Sequence, residues 1–214
     1  MKTVIKVYLF LFSSIVFSQT EITKQFKPAF KEIEVNTFGI DDLVIEASEN
    51  DFITVFLLDE HSNTHIVNVE EINNKTEITF KINPIIYKES NTVFRKFITK
   101  RLERARVLIK IPKNKLVTVY GENVGVTSRS YEGTLNIFIN KGNIDLQKVS
   151  GNTFVSVFQG NIKAEVKKTR LNLETKKGAI KINKKKVSTP YITTDNIKQE
   201  LKIVSILGNI NIVR

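Results

Sequence analysis

The sequence predicts an all-β fold: a parallel β-helix or solenoid of about 18 residues per coil, preceded by an antiparallel β region that caps it. Three observations predict it. Glycines return every nine residues through the second half of the chain. Between those glycines, eleven of the twelve inward positions are apolar and most of the residues between them are polar. The first half instead carries longer alternating runs joined by polar turn clusters. The elements in order are a leader (1–18), an N-terminal β-rich capping region (19–112) with a basic insertion over 85–106, and the solenoid (113–214).

Residues 1–18 read as a secretory signal peptide. Lys2 and Lys6 form a positive start, and Val7 to Phe17 an apolar stretch broken by Ser13 and Ser14. Val16 and Ser18 then occupy the −3 and −1 positions of a cut before Gln19, where a small residue is required. The stretch falls short of the ~20 residues that cross a bilayer. No later segment of the sequence approaches a membrane span. An exported protein is expected, in the periplasm, on the outer-membrane surface or outside the cell. The chain has no cysteine, which excludes disulfides, thiolate metal sites and cysteine nucleophiles, and also a lipid-anchored lipoprotein. Export without disulfides suits a bacterial envelope.

In the capping region the strand candidates are Glu32–Val35, Leu43–Ala47, Phe52–Leu58, His65–Val69, Glu77–Ile82 and Arg106–Ile111. Clusters such as Ser48-Glu49-Asn50-Asp51 and Asn73-Asn74-Lys75 separate them, a spacing that suits antiparallel pairing. Over 85–106, Val93, Phe94, Phe97, Ile98 and Leu102 recur at helical spacing among Arg95, Lys96, Lys100, Arg101 and Arg104. Such a segment serves either as a plug for the end of the solenoid or as a contact for an anionic membrane or partner.

The solenoid rests on glycines at 133, 142, 151, 160 and 178, with Thr169 in the skipped slot. Two and four residues after each frame start stand Leu135/Ile137, Ile144/Leu146, Thr153/Val155, Ile162/Ala164, Leu171/Leu173 and Ile180/Ile182. The unit returns as Gly208-Asn209-Ile210-Asn211-Ile212. This is the alternation of strands with one buried face. Gly-Asn steps at 142, 151, 160 and 208 would supply corners of positive φ. An antiparallel meander is the rival reading. The last strand, Ile210–Val213, would end the chain with an open edge, through which two copies could pair.

The chain of 214 residues carries 33 Lys+Arg against 22 Asp+Glu, a formal charge of +11. That charge falls to +9 once Lys2 and Lys6 are cleaved. In an 18-residue coil Lys163 would stack under Lys181, Lys167 under Lys185 and Lys168 under Lys186, with Lys176, Lys177 and Lys184 beside them. Stacked like charges repel unless an anion screens them. Lys163, Lys167, Lys168, Lys181, Lys185 and Lys186 are therefore the candidate face for an anionic ligand such as acidic polysaccharide or lipopolysaccharide phosphate. The alternative is that they blunt strand edges and keep the fold soluble.

Catalytic chemistry finds little support in the sequence. His61 and His65 fall between strand-like runs, as solvated turn residues rather than metal ligands. Asp41-Asp42 and Asp59-Glu60 are adjacent pairs that point to opposite faces. No nucleophile triad, phosphate loop or dinucleotide fingerprint occurs. One glycine per unit and a single interior Asp145 argue against a calcium-binding nonapeptide roll. No cofactor, metal or nucleic-acid partner is expected. The leading expectation is a non-enzymatic binding or structural module. The alternative is a carbohydrate-active enzyme on a β-helix, in which Glu165, Glu174 and Asp195 would have to converge. A third possibility is a signalling or assembly partner held through 85–106.

The leader ending Phe17-Ser18-Gln19, the block Phe30-Lys31-Glu32-Ile33-Glu34-Val35, the strand-proline step Val107-Leu108-Ile109-Lys110-Ile111-Pro112 and the Gly-Asn-Ile ladder together resemble a family. It is the adhesin family of Bacteroidota, with head GIN and auto-transporter-adhesin-like domains. The similarity spans most of residues 28–214. It implies an exported β-solenoid named for likeness to adhesins. This chain departs from the family in having fewer glycines after 178 and in its basic 85–106 insertion.

Overall fold

The computed structural model describes residues 21–59, 65–82, 105–194 and 197–214. The leader with its Ser18/Gln19 cut, His61, Asp195 and residues 85–104 of the basic insertion lie outside the described residues. The described residues are all β, with no helix that could cross a membrane.

Alternation sets the strands. The N-terminal ones are β1 (Glu21–Phe26), β2 (Glu32–Asn36), β3 (Asp42–Ala47), β4 (Ile53–Asp59), β5 (His65–Ile72), β6 (Lys75–Ile82) and β7 (Ala105–Ile111). Six of these match the strands expected from sequence within three residues at each end; β1 was not foreseen. Next come β8 (Leu116–Asn123), β9 (Gly125–Arg129), β10 (Thr134–Lys141), β11 (Ile144–Val149), β12 (Thr153–Gln159) and β13 (Ile162–Val166). The chain ends with β14 (Arg170–Thr175), β15 (Ile180–Ile182), β16 (Lys185–Val187), β17 (Tyr191–Ile192), β18 (Glu200–Leu207) and β19 (Ile210–Val213).

These strands form two large mixed sheets that share one apolar core. The first sheet has the order β1-β4-β7-β3-β9-β11-β13-β19-β15-β16, and the second β17-β14-β18-β12-β10-β8-β2-β6-β5. Of the twelve inward positions expected in the nine-residue units, all but Ile182 are buried. Fully buried Ile, Leu and Val side chains each contribute about 1.5–3 kcal/mol relative to exposure.

The parallel β-helix preceded by an antiparallel cap is not the fold adopted. Parallel and antiparallel pairs occur in both sheets. Near the ends, β1–β4, β4–β7, β5–β6, β14–β17 and β15–β16 run antiparallel. The N-terminal region is itself mixed, since β2 pairs parallel with β6 and β8, and β3 with β7 and β9. Nor do the strands follow chain order. An 18-residue offset holds for β8–β10–β12 and β9–β11–β13, where Leu135 lies beside Val117 and Thr153. Beyond them the offset is 48: Thr153 pairs with Leu201 and Ile162 with Ile210. The last two long strands thus enter between β12/β13 and β14/β15.

The corners show how this insertion is held. Asn161 N–H donates to Asn143 Oδ1 (3.1 Å), Asn209 N–H to Asn161 Oδ1 (3.2 Å), and Ala179 N–H to Asn209 Oδ1 (3.0 Å). Each asparagine amide caps the backbone of the next corner, in the order 143, 161, 209, 179. Positive φ occurs at Gly142 and Gly160 but not at Gly151 or Gly208. The latter two are glycine for space: a Cβ on Gly151 would stand 1.9 Å from the Gly133 carbonyl oxygen.

One consequence concerns the chain terminus. The strand β19 is not an edge, since it pairs with β13 on one side and β15 on the other. Self-association through an open Ile210–Val213 edge therefore has no free edge to use.

Candidate functional site

The basic end of the molecule is the first candidate. It is built by β15 and β16, which form a two-residue hairpin with Asn183 (φ 48°) and Lys184 (φ 69°) at its tip. Positive φ at both central residues is a type I′ turn, which favours Asn-Gly. Lysine at the second position carries a left-handed penalty of roughly 1–2 kcal/mol that glycine would avoid.

Across this hairpin Lys181 lies directly opposite Lys186, and Ile182 opposite Lys185. Like charges in such pairs are destabilising. Lys163 and Lys181 do not stack on each other, because Asn211 of β19 pairs with both and separates them. The stacks of Lys167 under Lys185 and Lys168 under Lys186 are likewise absent. Lys167 and Lys168 lie in the β13–β14 connection, while Lys185 and Lys186 are on β16, three strands from β13. The reason is the inserted β19, which the nine-residue period could not reveal.

What the structure does gather is charge of one sign. Lys163, Lys167, Lys168, Lys176, Lys177, Lys181, Lys184, Lys185 and Lys186 are all exposed. Among the described residues, none of them forms an ion pair; the pairs present are Lys75–Glu34, Arg106–Asp42, Lys113–Glu132, Arg129–Glu46 and Arg170–Glu200. The far end of the second sheet is acidic: Glu34, Glu77 and Glu70 form one cross-strand row on β2, β6 and β5.

A second exposed feature lies on the outer face of the second sheet, and sequence reasoning missed it. Tyr120 on β8 stacks on Phe138 of β10 with centroids 5.4 Å apart and planes 15° off parallel. Phe138 meets Phe154 of β12 edge-on, also at 5.4 Å. Lys202 Nζ of β18 sits 5.5 Å from the Phe154 ring centre. The available signal was that Tyr120 and Phe138 are 18 residues apart and both fall on the polar phase of their strands.

Other expectations resolve plainly. Glu165 on β13 and Glu174 on β14 belong to different sheets, so they do not converge as an acid–base pair. His65 is not a solvated turn residue. It opens β5, is buried, and places Nε2 3.0 Å from the Gly39 carbonyl oxygen. Among the described residues, no three histidine or acidic side chains gather as metal ligands.

Replacing Lys184 with glycine is expected to raise unfolding stability by about 1 kcal/mol by relieving the positive φ. A chemical denaturation midpoint that rises with unchanged slope is the check.

Among the described residues, the fold and its basic end define a two-sheet all-β protein with a lysine-rich hairpin at one end. No protein-family model matches the chain, and no curated protein matches it. Among solved structures it is similar to a candidate cell adhesion protein from Clostridium sporogenes ATCC 15579, with a TM-score of 0.58 and 15 % identity over 91 % of this chain and 98 % of that one. Candidate adhesins from Bacteroides fragilis NCTC 9343 and Parabacteroides merdae ATCC 43184 align at 11 % identity, with TM-scores of 0.31 and 0.26. Those alignments cover 91 % and 92 % of this chain and 98 % of each partner. Of the three, the Clostridium protein shares the fold.

Proposed function

We propose that the protein is an exported, non-enzymatic, adhesin-like binding module of the bacterial envelope. Its basic end holds anionic polysaccharide or lipopolysaccharide phosphate. The observation that carries this reading is the hairpin where Lys181 faces Lys186, neither of them in an ion pair among the described residues. A surface selected for folding alone would place opposite charges across that pair and glycine at position 184. An anion laid over the hairpin turns the repulsion into attraction. The fold shared with a candidate cell adhesion protein supports a binding role. The separation of Glu165 from Glu174 counts against the hydrolase or lyase alternative.

Binding would be multivalent. Flexible lysines contribute individually small contacts that a repeating polyanion sums along its length. Each lysine near a strongly anionic surface is worth about 1 kcal/mol, so several together give a salt-sensitive interaction.

The test compares wild type with Lys167→Gln, Lys181→Gln, Lys185→Gln and Lys186→Gln combined, against lipopolysaccharide and sodium polyuronate over a salt series. Wild type is expected to bind at low salt and weaken as salt rises, and the variant to lose at least about tenfold in affinity. Equal affinity of the two proteins, or equal inertness at low salt, would reject the basic end as a ligand face.

A further inference from the structure

The aromatic row on the second sheet carries a separate inference. Many outward positions on neighbouring strands are polar, among them Thr118, Asn136, Ser156, Asn172 and Thr79, while Phe158 and Val204 are outward apolar residues on β12 and β18. Against that pattern Tyr120, Phe138 and Phe154 occupy three adjacent strands, with Tyr120 42 % exposed. Exposed apolar surface of this kind is retained where it meets something.

Phe138 and Phe154 line an open depression of about 490 Å³. Its remaining wall is polar, including Asn136, Asn152, Arg170, Glu200 and Lys202. Arg170 is paired with Glu200 at 3.1 Å. Asn152 Oδ1 accepts from the Glu200 backbone N–H. Asn136, beside Phe154 in the cross-strand register, has no hydrogen-bond partner for its amide among the described residues. Its volume falls in the range of small-molecule sites, and its polar lining would orient a ligand packed against the two rings.

We infer that this depression binds an uncharged saccharide, its C–H groups packed against the mutually edge-on rings of Phe138 and Phe154 and its hydroxyls hydrogen-bonded to Asn136, Glu200 and Lys202. The chemistry selects the occupant. A purely apolar partner would cover the Arg170–Glu200 pair and Lys202 and strip them of water with no replacement hydrogen bonds. A pyranose brings both requirements at once: a C–H face for the rings and hydroxyls that donate and accept around its edge. Tyr120, stacked on Phe138, lies one strand beyond the depression, so a chain of two or more sugars would reach it. The site is on the opposite sheet from the lysine hairpin and stands independently of the function proposed there.

The test titrates the purified protein with neutral tetrasaccharides of the cello, chito, manno and malto series, following amide and tyrosine ring resonances. Phe138→Ala with Phe154→Ala removes both rings that line the depression, and a thermal melt verifies that it still folds. The expected result is binding of at least one series that salt leaves unchanged and that falls about tenfold or more in the double variant. Asn136→Ala, which keeps the rings, is expected to weaken it by a smaller factor. Lys185→Gln with Lys186→Gln is expected to leave it intact, which separates this site from the basic end. The proposal is overturned if no tetrasaccharide shifts a resonance at millimolar concentration. Wild-type affinity in the platform variant would overturn it too. So would binding of an oligodeoxythymidine control with no saccharide bound, which would make the rings a base-stacking surface.

Discussion

Alanine at Gly160 is expected to destabilise the protein by about 4 kcal/mol or more, a large share of the 5–15 kcal/mol that holds a domain folded. Two causes act together. The residue has φ +151°, which side chains with a Cβ rarely adopt. A Cβ there would also stand 1.7 Å from the Gly142 carbonyl oxygen. That oxygen belongs to the backbone of the adjoining corner, so no rotamer change relieves the overlap. Relief requires β11 and β13 to separate, breaking their ladder. Asn161→Ala, one residue on, removes a capping amide but adds no clash. It is expected to cost about 1 kcal/mol. Urea denaturation of both variants checks the ordering; a Gly160→Ala protein as stable as Asn161→Ala would mean that the two corners do not approach as described.

Removing residues 200–214 is expected to unfold the protein rather than trim it. In a stack that followed chain order these residues would be the last layer, and their loss would be mild. In the observed order β18 lies between β12 and β14, and β19 between β13 and β15. Deletion removes Leu201, Ile203, Ile210 and Ile212, four side chains with at most 1 % exposure. At roughly 2 kcal/mol each they account for about 8 kcal/mol of burial, comparable with the whole margin of stability. It also leaves β14 and β15 without a parallel neighbour. Loss of the cooperative melt in the truncated chain is the expected readout. A truncated protein that melts cooperatively near the wild-type temperature would contradict the insertion.

That insertion marks the limit of what the sequence displays. Alternation at Leu135/Ile137 or Leu171/Leu173 states which face of a strand is apolar, and those positions are buried. A glycine every nine residues states where corners fall. Neither states which strand lies beside which, because pairing at offset 18 and at offset 48 buries the same residues. One clue was present in the corner residues themselves. Asn143, Asn161 and Asn209 each offer an amide oxygen to the next corner, whereas Ala179 has none to pass on. The unit with alanine must therefore come last in space, even though Gly208-Asn209 comes later in the chain.

The candidate sites divide in the same way. The excess of lysine over 163–186 is visible in the sequence, and so is its exposure. The stacked pairs inferred from it were wrong, because they depended on strand order. The Lys181–Lys186 opposition arises from the Asn183-Lys184 turn, which the repeat frame ran through as an uninterrupted unit. Tyr120 and Phe138 fall on the outward phase of β8 and β10, a signal that a frame built on glycines and inward positions passes over. His65 was misjudged since its polar neighbours at 59–64 suggested a turn, while β5 begins at His65 itself and turns its ring inward.

The most direct measurement of the account is a map of which backbone amide resonances move as sodium polyuronate is added at low salt. The predicted result is shifts concentrated at Lys167 and Lys168 and over residues 176–186, abolished by moderate salt, with the acidic row of Glu34, Glu70 and Glu77 unmoved. Shifts centred away from the β15–β16 hairpin, or none at any polyuronate concentration, would contradict it.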